Sequence, residues 1–234
     1  MSKSQILEMT RPVEGWLFNA EGALLYDLAQ QCTGRGVIVE IGSWKGKSTI
    51  WLAKGTEAGS RVKVYAIDPH TGSEEHQNQQ QQVWTFDEFK RNIAMAKVSD
   101  LVCPILKTST AAASDFSQPV ELVFIDGAHD YASVKQDFEL WFPKVVEGGT
   151  IAFHDTSGWE GPKRVVTESV FKSPHFKQVR FVFSITCGRK VTQNTLGDRI
   201  RNRFLLLAKN LHDPILQFLT RESVKRIVLK LLGR

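Results

Sequence analysis

The fold is decided by residues 37–50, VIVEIGSWKGKSTI. The β-branched run Val37–Ile41 is typical of a buried parallel strand. A glycine-rich turn follows it, and residues 48–54 are predicted to be helical. A strand, a glycine turn and a helix in this order form the first unit of an open α/β sheet, in which ligands bind beyond the strand ends. The ligand of this turn is therefore the first question about function.

The turn matches neither of the common phosphate-binding motifs. A Walker A loop has four residues between its first glycine and Gly-Lys-Ser, whereas only Ser43–Lys45 separate Gly42 from Gly46. The dinucleotide fingerprint G-x-G-x-x-G is also missing. Glu40, at the strand end, would repel phosphates but suits a cationic or hydroxyl-rich ligand. Asp68, which ends the next predicted strand, suits the hydroxyls of a ribose.

Strand and helix patterns alternate along the rest of the chain. Strands are predicted at residues 37–41, 62–67, 102–106, 122–125, 150–153, 178–184 and 185–191, and helices at 20–31, 48–54, 86–97, 133–142 and 163–171. The alternation predicts a doubly wound, Rossmann-like α/β fold with a mostly parallel seven-stranded sheet. The last two strands follow each other too closely for a helical crossover, so we expect them to be antiparallel at one edge. Glu147–Gly149 is predicted to be the turn before the fifth strand.

The positive charge is concentrated at one end of the chain. The 234 residues carry a formal charge of +5. Residues 195–234 contain nine Lys and Arg against three Asp and Glu, which leaves residues 1–194 at −1. A general nucleic-acid-binding function is therefore not indicated. We expect a domain at 1–194 followed by a basic, helical tail at 195–234.

The tail is predicted to contain two helices. Asp198–Leu211 forms the first, Pro214 interrupts it, and Thr220 begins an amphipathic helix that extends to about Leu232. A basic amphipathic helix can pack on its own domain, form a homodimer or contact an anionic membrane peripherally. The chain has no apolar run of 18 residues, no secretory signal and only three scattered cysteines. These features predict a cytoplasmic protein, with membrane association left open.

Four stretches resemble the class I S-adenosylmethionine-dependent methyltransferases in order and spacing, over about residues 12–191. These stretches are Glu40–Gly46, Tyr65–Asp68, Phe124–Tyr131 and Gly148–Asp155. The last two are similar to a branch that contains the macrocin and mycinamicin sugar O-methyltransferases and, more distantly, the catechol O-methyltransferases. The resemblance implies methyl transfer from S-adenosyl-L-methionine to a hydroxyl of a small molecule such as a sugar or glycoside.

The resemblance also implies which residues hold the cofactor. The first turn would contact its methionine moiety, Asp68 its ribose, and the residues after the third strand its adenine. The implied cofactor-binding residues are Glu40, Gly42, Ser43, Trp44, Gly46, Asp68, Thr108, Ser109 and Asp126.

Four polar residues follow the fourth and fifth predicted strands: Asp126, His129, His154 and Asp155. By resemblance, Asp126 and Asp155 hold a divalent metal and His129 is the general base. His154 stands where the sugar enzymes tend to have a second acid. Three interpretations remain open: Mg²⁺ held by the two acids and water, a transition metal such as Mn²⁺ that also uses His154, or no metal with a histidine as the base.

Two other functions remain compatible with the sequence. One is a nitrogen- or carboxyl-directed methyltransferase of the same fold, and the other is a non-catalytic S-adenosylmethionine-binding partner protein. Trp16 and Trp159 are candidates for the border of the acceptor pocket. The glutamine-rich segment 70–83 is a candidate lid, or an insertion without a function.

Overall fold

A computed structural model of the protein describes residues 1–72 and 83–220. The helices are α1 (Lys3–Thr10), α2 (Asn19–Gln30), α3 (Lys47–Glu57), α4 (Phe86–Met95), α5 (Ser109–Asp115), α6 (Tyr131–Trp141), α7 (Glu160–Val166) and α8 (Leu196–Thr220). The strands are β1 (Val37–Ile41), β2 (Val64–Ile67), β3 (Val102–Ile105), β4 (Val120–Ile125), β5 (Val145–Phe153), β6 (Phe176–Val182) and β7 (Ile185–Lys190). A 3₁₀ turn at Phe142–Lys144 follows α6, and a π-helical turn at Thr167–Phe171 follows α7.

The described strands form one seven-stranded sheet in the order β3-β2-β1-β4-β5-β7-β6. Strands β1 to β5 pair in parallel, and β7 is antiparallel to both β5 and β6. The predicted doubly wound fold with an antiparallel edge is confirmed. The strand order reverses between β1 and β4, and such a switch point opens a crevice at the carboxyl ends of the strands.

The register of the sheet aligns four strand ends at this crevice. Ile41 pairs with both Ile67 and Ile125, and Ile125 pairs with Phe153. The residues that follow these strands therefore lie side by side. They are Gly42, Asp68, Asp126 and His154.

Each face of the sheet is covered by its own apolar cluster. Ile38 and Leu122 point to the side of α2, α3 and α4, and Val39 and Val123 point to the side of α5, α6 and α7. Side chains alternate between the two faces of a strand, so a strand that is covered on both faces must be apolar almost throughout. This requirement explains why the five parallel strands were recognisable in the sequence.

Glu147–Gly149 is not a turn, which corrects one prediction. Strand β5 begins at Val145 and continues through these residues. Val120 pairs with Val145, but Leu122 pairs with Thr150, so β5 contains an irregularity that absorbs the extra residues. Gly148 adopts a φ of +77°, a conformation that favours glycine.

Pro214 does not interrupt the helix, which corrects a second prediction. Helix α8 continues through Pro214 to Thr220. The residue before the proline, Asp213, is buried and bonded to Lys209 one turn earlier, so tertiary packing outweighs the cost of a proline in a helix. The helix predicted to begin at Thr220 falls on residues 221–232, outside the described part of the chain.

Candidate active site

A cavity of about 770 Å³ opens at the switch point of the sheet. Its walls come from the glycine turn after β1, the ends of β2 and β4, and the segment after β5. This volume is in the usual range for small-molecule sites. Seven of the cofactor-binding residues predicted from the sequence lie on its walls: Gly42, Ser43, Trp44, Asp68, Thr108, Ser109 and Asp126. His129, His154 and Asp155 line it as well.

The glycine turn is shaped by close contacts on both sides. Gly42 has a φ of +84°, and a β-carbon there would lie 2.2 Å from the carbonyl oxygen of Asp126. Gly46 has a φ of +88°, and a β-carbon there would meet the ring of Phe89 at 3.1 Å. Glycine is needed at both positions for backbone reasons alone. Gly42 lies on the cavity wall, whereas Gly46 faces helix α4 behind it.

Asp68 connects the end of β2 to the glycine turn. Its Oδ2 accepts hydrogen bonds from the backbone N–H groups of Ser43 (2.9 Å) and Trp44 (2.8 Å), and its Oδ1 accepts one from the N–H of His70 (2.6 Å). Two carboxylate oxygens can accept about four hydrogen bonds, so capacity remains for a ligand hydroxyl. The hydroxyl of Ser43 is buried on the same wall and has no hydrogen-bond partner among the described residues.

Glu40 lies behind the cavity wall. Its side chain is fully buried beneath the first turn of α3, where Oε2 accepts a hydrogen bond from the Thr49 hydroxyl. Burial raises the pKa of Glu40 to about 8, against the opposing effect of hydrogen bonds from Ser48 and Thr49. A direct contact between Glu40 or Gly46 and the cofactor stays a prediction, since neither residue lines the cavity.

A second polar group lies after β3. Thr108 caps α5 by accepting a hydrogen bond from the N–H of Ala111, and the Ser109 hydroxyl accepts one from the indole of Trp141. Asp137 of α6, which the sequence reasoning missed, lines the cavity beside them. Burial raises its pKa to about 6, against a hydrogen bond from Ser109. This end of the cavity therefore offers both hydrogen-bond donors and acceptors.

Asp126, His129, His154 and Asp155 form a group that we call the acidic cluster, and His154 lies at its centre. Its Nδ1 lies 3.2 Å from Asp126 Oδ1 and 3.2 Å from Asp155 Oδ2. Its Nε2 lies 3.3 Å from Oε2 of Glu21, a fully buried residue of α2. Glu21 also accepts hydrogen bonds from the N–H and hydroxyl of Ser184. This buried carboxylate fixes the plane of the imidazole from behind.

His129 reaches the same cluster from the loop after β4. Its Nε2 lies 3.0 Å from Asp155 Oδ2, and its ring stacks on Trp159 at 4.2 Å and 9°. Asp155 adopts a φ of +57°, which is costly for a residue other than glycine. A His129 tautomer with its proton on Nε2 donates to Asp155, and Nδ1 is then the basic nitrogen.

The charges of the cluster shift one another's protonation. Desolvation raises the pKa of Asp126 despite the neighbouring histidines. Desolvation also acts on Asp155, but the imidazoles of His129 and His154 hold its pKa below the ordinary 3.8. Burial opposes protonation of His154, yet the carboxylates of Asp126, Asp155 and Glu21 raise its pKa well above 6.5. A positive charge is therefore stabilised between Asp126 and Asp155.

The same group has the donors of a metal site. One ligand atom from each of Asp126, His154 and Asp155 lies within 4.8 Å of the others. Nδ1 of His154 makes no well-directed hydrogen bond to either carboxylate, although it lies between them. A histidine whose other nitrogen is held by a carboxylate is a common arrangement around bound metals. Two carboxylates and an imidazole suit Mn²⁺ better than they suit Mg²⁺, because Mg²⁺ prefers a site made only of oxygen ligands.

Aromatic side chains border the mouth of the cavity. Trp16 is 73% exposed and its ring centroid lies 6.3 Å from that of Trp44, whereas Trp159 stacks on His129. Both tryptophans that the sequence suggested for an acceptor pocket line the cavity. Residues 73–82 of the predicted lid lie outside the described residues.

Glu21 is the functional candidate that sequence reasoning missed most clearly. The only signal for it was an acid in the first turn of the mostly apolar helix NAEGALLYDLAQ. The acidic first turn also fits an ordinary capping residue, because the Glu21 carboxylate accepts a hydrogen bond from the N–H of Phe18. Its second role depends on residues more than 130 positions away.

Comparison with known proteins identifies the family. A family model described as a methyltransferase domain matches residues 39–156, which carry the glycine turn, Asp68 and the whole acidic cluster. The chain belongs to this methyltransferase-domain family. An uncharacterized protein of Sinorhizobium fredii, y4gI, is 31% identical over 121 residues, a match that spans 51% of this chain and 13% of that relative.

Solved structures share the fold of this chain. The O-methyltransferase NovP has a TM-score of 0.61 at 17% identity, over 73% of this chain and 79% of its own. The O-methyltransferase TomG of Streptomyces achromogenes, solved with S-adenosylmethionine, has a TM-score of 0.58 at 16% identity, over 81% and 89% of the two chains. Among the described residues, no helix is long and apolar enough to cross a membrane.

Proposed function

We propose that this methyltransferase transfers a methyl group from S-adenosylmethionine to a hydroxyl of a small molecule, such as a sugar or glycoside. The observation that carries the proposal is the convergence of His129, Asp155, His154 and Asp126 on one end of a ligand-sized cavity. The other end offers Asp68 and the unpartnered Ser43 hydroxyl. The end with Asp68 and Ser43 then suits a nucleoside. The end with the histidines and carboxylates suits an acceptor hydroxyl that must lose its proton.

The cofactor end suits S-adenosylmethionine, which supplies a methyl group on a positively charged sulfur. The remaining capacity of the Asp68 carboxylate can accept a hydrogen bond from a ribose hydroxyl. The glycine turn lets the backbone approach a ligand that brings no phosphate to this position. Trp44 lines the same part of the cavity and would contact this ligand. Thr108, Ser109 and Asp137 would face the base.

The acceptor end supplies a base and a means of orienting it. With Asp155 accepting from Nε2, the His129 imidazole would take the proton of the acceptor hydroxyl on its other ring nitrogen. As that O–H bond breaks, the oxygen forms a bond to the methyl carbon and the carbon–sulfur bond breaks, which leaves a neutral thioether. Stacking on Trp159 keeps the imidazole plane fixed during this step.

Asp126, His154 and Asp155 would hold a divalent cation beside the acceptor. When bound, such a cation lowers the pKa of a coordinated hydroxyl and orients its oxygen. Glu21 keeps Nδ1 of His154 directed toward the two carboxylates. The metal-free alternative, in which His154 carries a proton between the carboxylates, uses the same contacts.

The base favours a hydroxyl over the other acceptors. A carboxylate acceptor is already ionised at neutral pH and needs no base, and a cofactor-binding protein without catalysis needs none either. The His129–Asp155 pair would have no task in either case. An amine acceptor also loses a proton, so a nitrogen-directed reaction is the second candidate.

Two measurements test the proposal. Calorimetric titration of the protein with S-adenosylmethionine should show binding, and tritiated cofactor should label hydroxyl compounds in a panel of sugars, phenols, amines and carboxylic acids. Label found only in amines or acids would overturn the hydroxyl assignment. A protein that binds no S-adenosylmethionine would overturn the whole proposal.

A further inference from the structure

Helix α8 exposes an apolar stripe along its outer side. Six large apolar side chains repeat every three or four residues, and each is between 50% and 74% exposed. They are Leu196, Ile200, Phe204, Leu207, Leu211 and Ile215. This spacing places all six on one face of a helix. Contiguous exposed apolar surface of this kind marks an interaction site.

The opposite face of α8 is fixed to the domain. Lys209 and Asp213 are each 1% exposed and lie 3.0 Å apart, and both bond to the Ser157 hydroxyl, two residues after Asp155. Asn202 is also buried and donates to the carbonyl of Phe176 in β6. A buried ion pair of this kind must keep its geometry, because either charge alone would be costly. The stripe is therefore held facing away from the domain.

A small basic cavity is formed by the sheet edge, α2 and one arginine of α8. It has a volume of about 240 Å³ and is lined by Arg180, Arg189 and Arg201, together with uncharged residues. No Asp or Glu of the described residues lines it. Arg201 belongs to α8 and, at 100° per residue, borders the stripe as well. Asp198, three residues before Arg201 in the same helix, accepts hydrogen bonds from Thr195. Three guanidinium groups without a carboxylate suit a phosphate.

We propose that this side of the protein docks on an anionic phospholipid membrane, with the stripe among the acyl chains and a headgroup phosphate in the arginine cavity. Docking of this kind goes beyond the proposed methyl transfer and does not depend on it. An apolar face bordered by cations is the pattern of helices that lie in the plane of a membrane interface.

The charges at the edges of the stripe favour a membrane over a second copy of the chain. Arg199 and Arg203 flank one side of it and Arg201 the other, all on the exposed surface. In a symmetric dimer through this face, arginines would meet arginines. The two acids in the described part of α8 are half-buried (Asp198) and buried (Asp213). An anionic surface instead attracts all three arginines. The sequence that follows α8, residues 221–234, contains five Lys and Arg and one Glu.

Vesicle co-sedimentation of the full-length protein tests the docking. Vesicles of phosphatidylcholine and phosphatidylglycerol should bind the protein, and vesicles of phosphatidylcholine alone should not. The double variant Phe204→Ser, Leu207→Ser keeps the charge and should bind at least tenfold more weakly, because two apolar side chains no longer enter the bilayer. Arg180→Gln with Arg189→Gln should weaken binding roughly twentyfold, since each basic residue near the surface contributes about a factor of five.

Control variants separate the stripe from general effects. Gln193→Ser with Asn210→Ser changes two exposed polar residues near the stripe without touching it, and should bind like the wild type. Equal binding by the Phe204/Leu207 variant would overturn the proposal. The proposal would also be overturned if the wild type did not bind anionic vesicles but formed a dimer, and if the Phe204/Leu207 substitutions converted this dimer to a monomer. Saturable binding of glycerol phosphate without vesicle binding would also overturn it, because the cavity would then be a site for a soluble anion.

Discussion

The two ends of the active-site cavity are built in different ways. At the cofactor end, Asp68 is held by backbone N–H groups from the glycine turn and from His70. At the acceptor end, side chains hold one another, and Glu21 reaches His154 across 133 positions of sequence. Backbone groups are present whatever the residue, so the first end depends on a short motif. The second end exists only where distant side chains are brought together by the fold.

The largest expected effect separates the two ends by chemistry. Replacing His129 with Gln removes the base, and we expect methyl transfer to fall by roughly 10²–10⁴-fold. Binding of S-adenosylmethionine should not change, because Asp68 and the glycine turn are untouched. Labelling rates and calorimetry measure the two quantities. His175→Gln is the control, since His175 is an exposed histidine that does not line the cavity. A His129→Gln variant with full activity would remove this histidine from the mechanism.

The second prediction concerns the long-range support of the acceptor end. Glu21→Gln keeps the shape of the side chain but removes the charge behind His154. We expect affinity for Mn²⁺ to fall by about 10–100-fold, as for other carboxylates that orient a metal ligand. Calorimetric titration with Mn²⁺ measures this change, and the exposed Glu8→Gln is the control. Unchanged metal affinity would show that Glu21 serves only the packing of α2.

The third prediction concerns the cofactor end. Asp68→Asn removes the charge that accepts from the glycine turn and, as proposed, from the ribose. Hydrogen bonds to a charged group contribute about 1.5–3 kcal/mol, so we expect cofactor affinity to fall by at least tenfold. Metal affinity should stay the same, which would separate the two ends. Asp115→Asn on the surface is the control. Equal losses of both affinities would mean that the ends are not independent.

The fourth prediction concerns a change of stability with pH. Glu40 has a pKa of about 8 in the folded chain against 4.5 for an ordinary glutamate. The folded state therefore binds the additional proton, and this contribution to stability is lost as pH rises from about 4.5 through 8. Urea unfolding at pH 5, 7 and 9 should show a steeper loss for the wild type than for Glu40→Gln. Parallel slopes would contradict the buried, protonated state.

Much of the fold was predictable because it depends on local pattern. The parallel strands are covered on both faces and must be apolar, and the turn after β1 adopts a conformation that favours glycine. The errors arose where packing outweighed local preference. Strand β5 passes through Glu147–Gly149 because its neighbour β4 pairs on both sides of the irregularity. Helix α8 passes through Pro214 because Lys209 and Asp213 fix its inner face.

The sequence by itself determined the fold class and the candidate residues of the cavity. Gly42 was recognisable in the glycine-rich turn after the first apolar strand, and the polar residues after β2, β4 and β5 were recognisable because parallel strands end at one edge. The structure supplies the reason for Gly42, since a β-carbon there would lie 2.2 Å from the carbonyl oxygen of Asp126. Only the tertiary structure decided that Glu21 supports His154 and that α8 turns six apolar side chains outward. Both depend on contacts between segments far apart in the chain. A local pattern contains no information about which distant side chain completes a buried pair or covers a helix face.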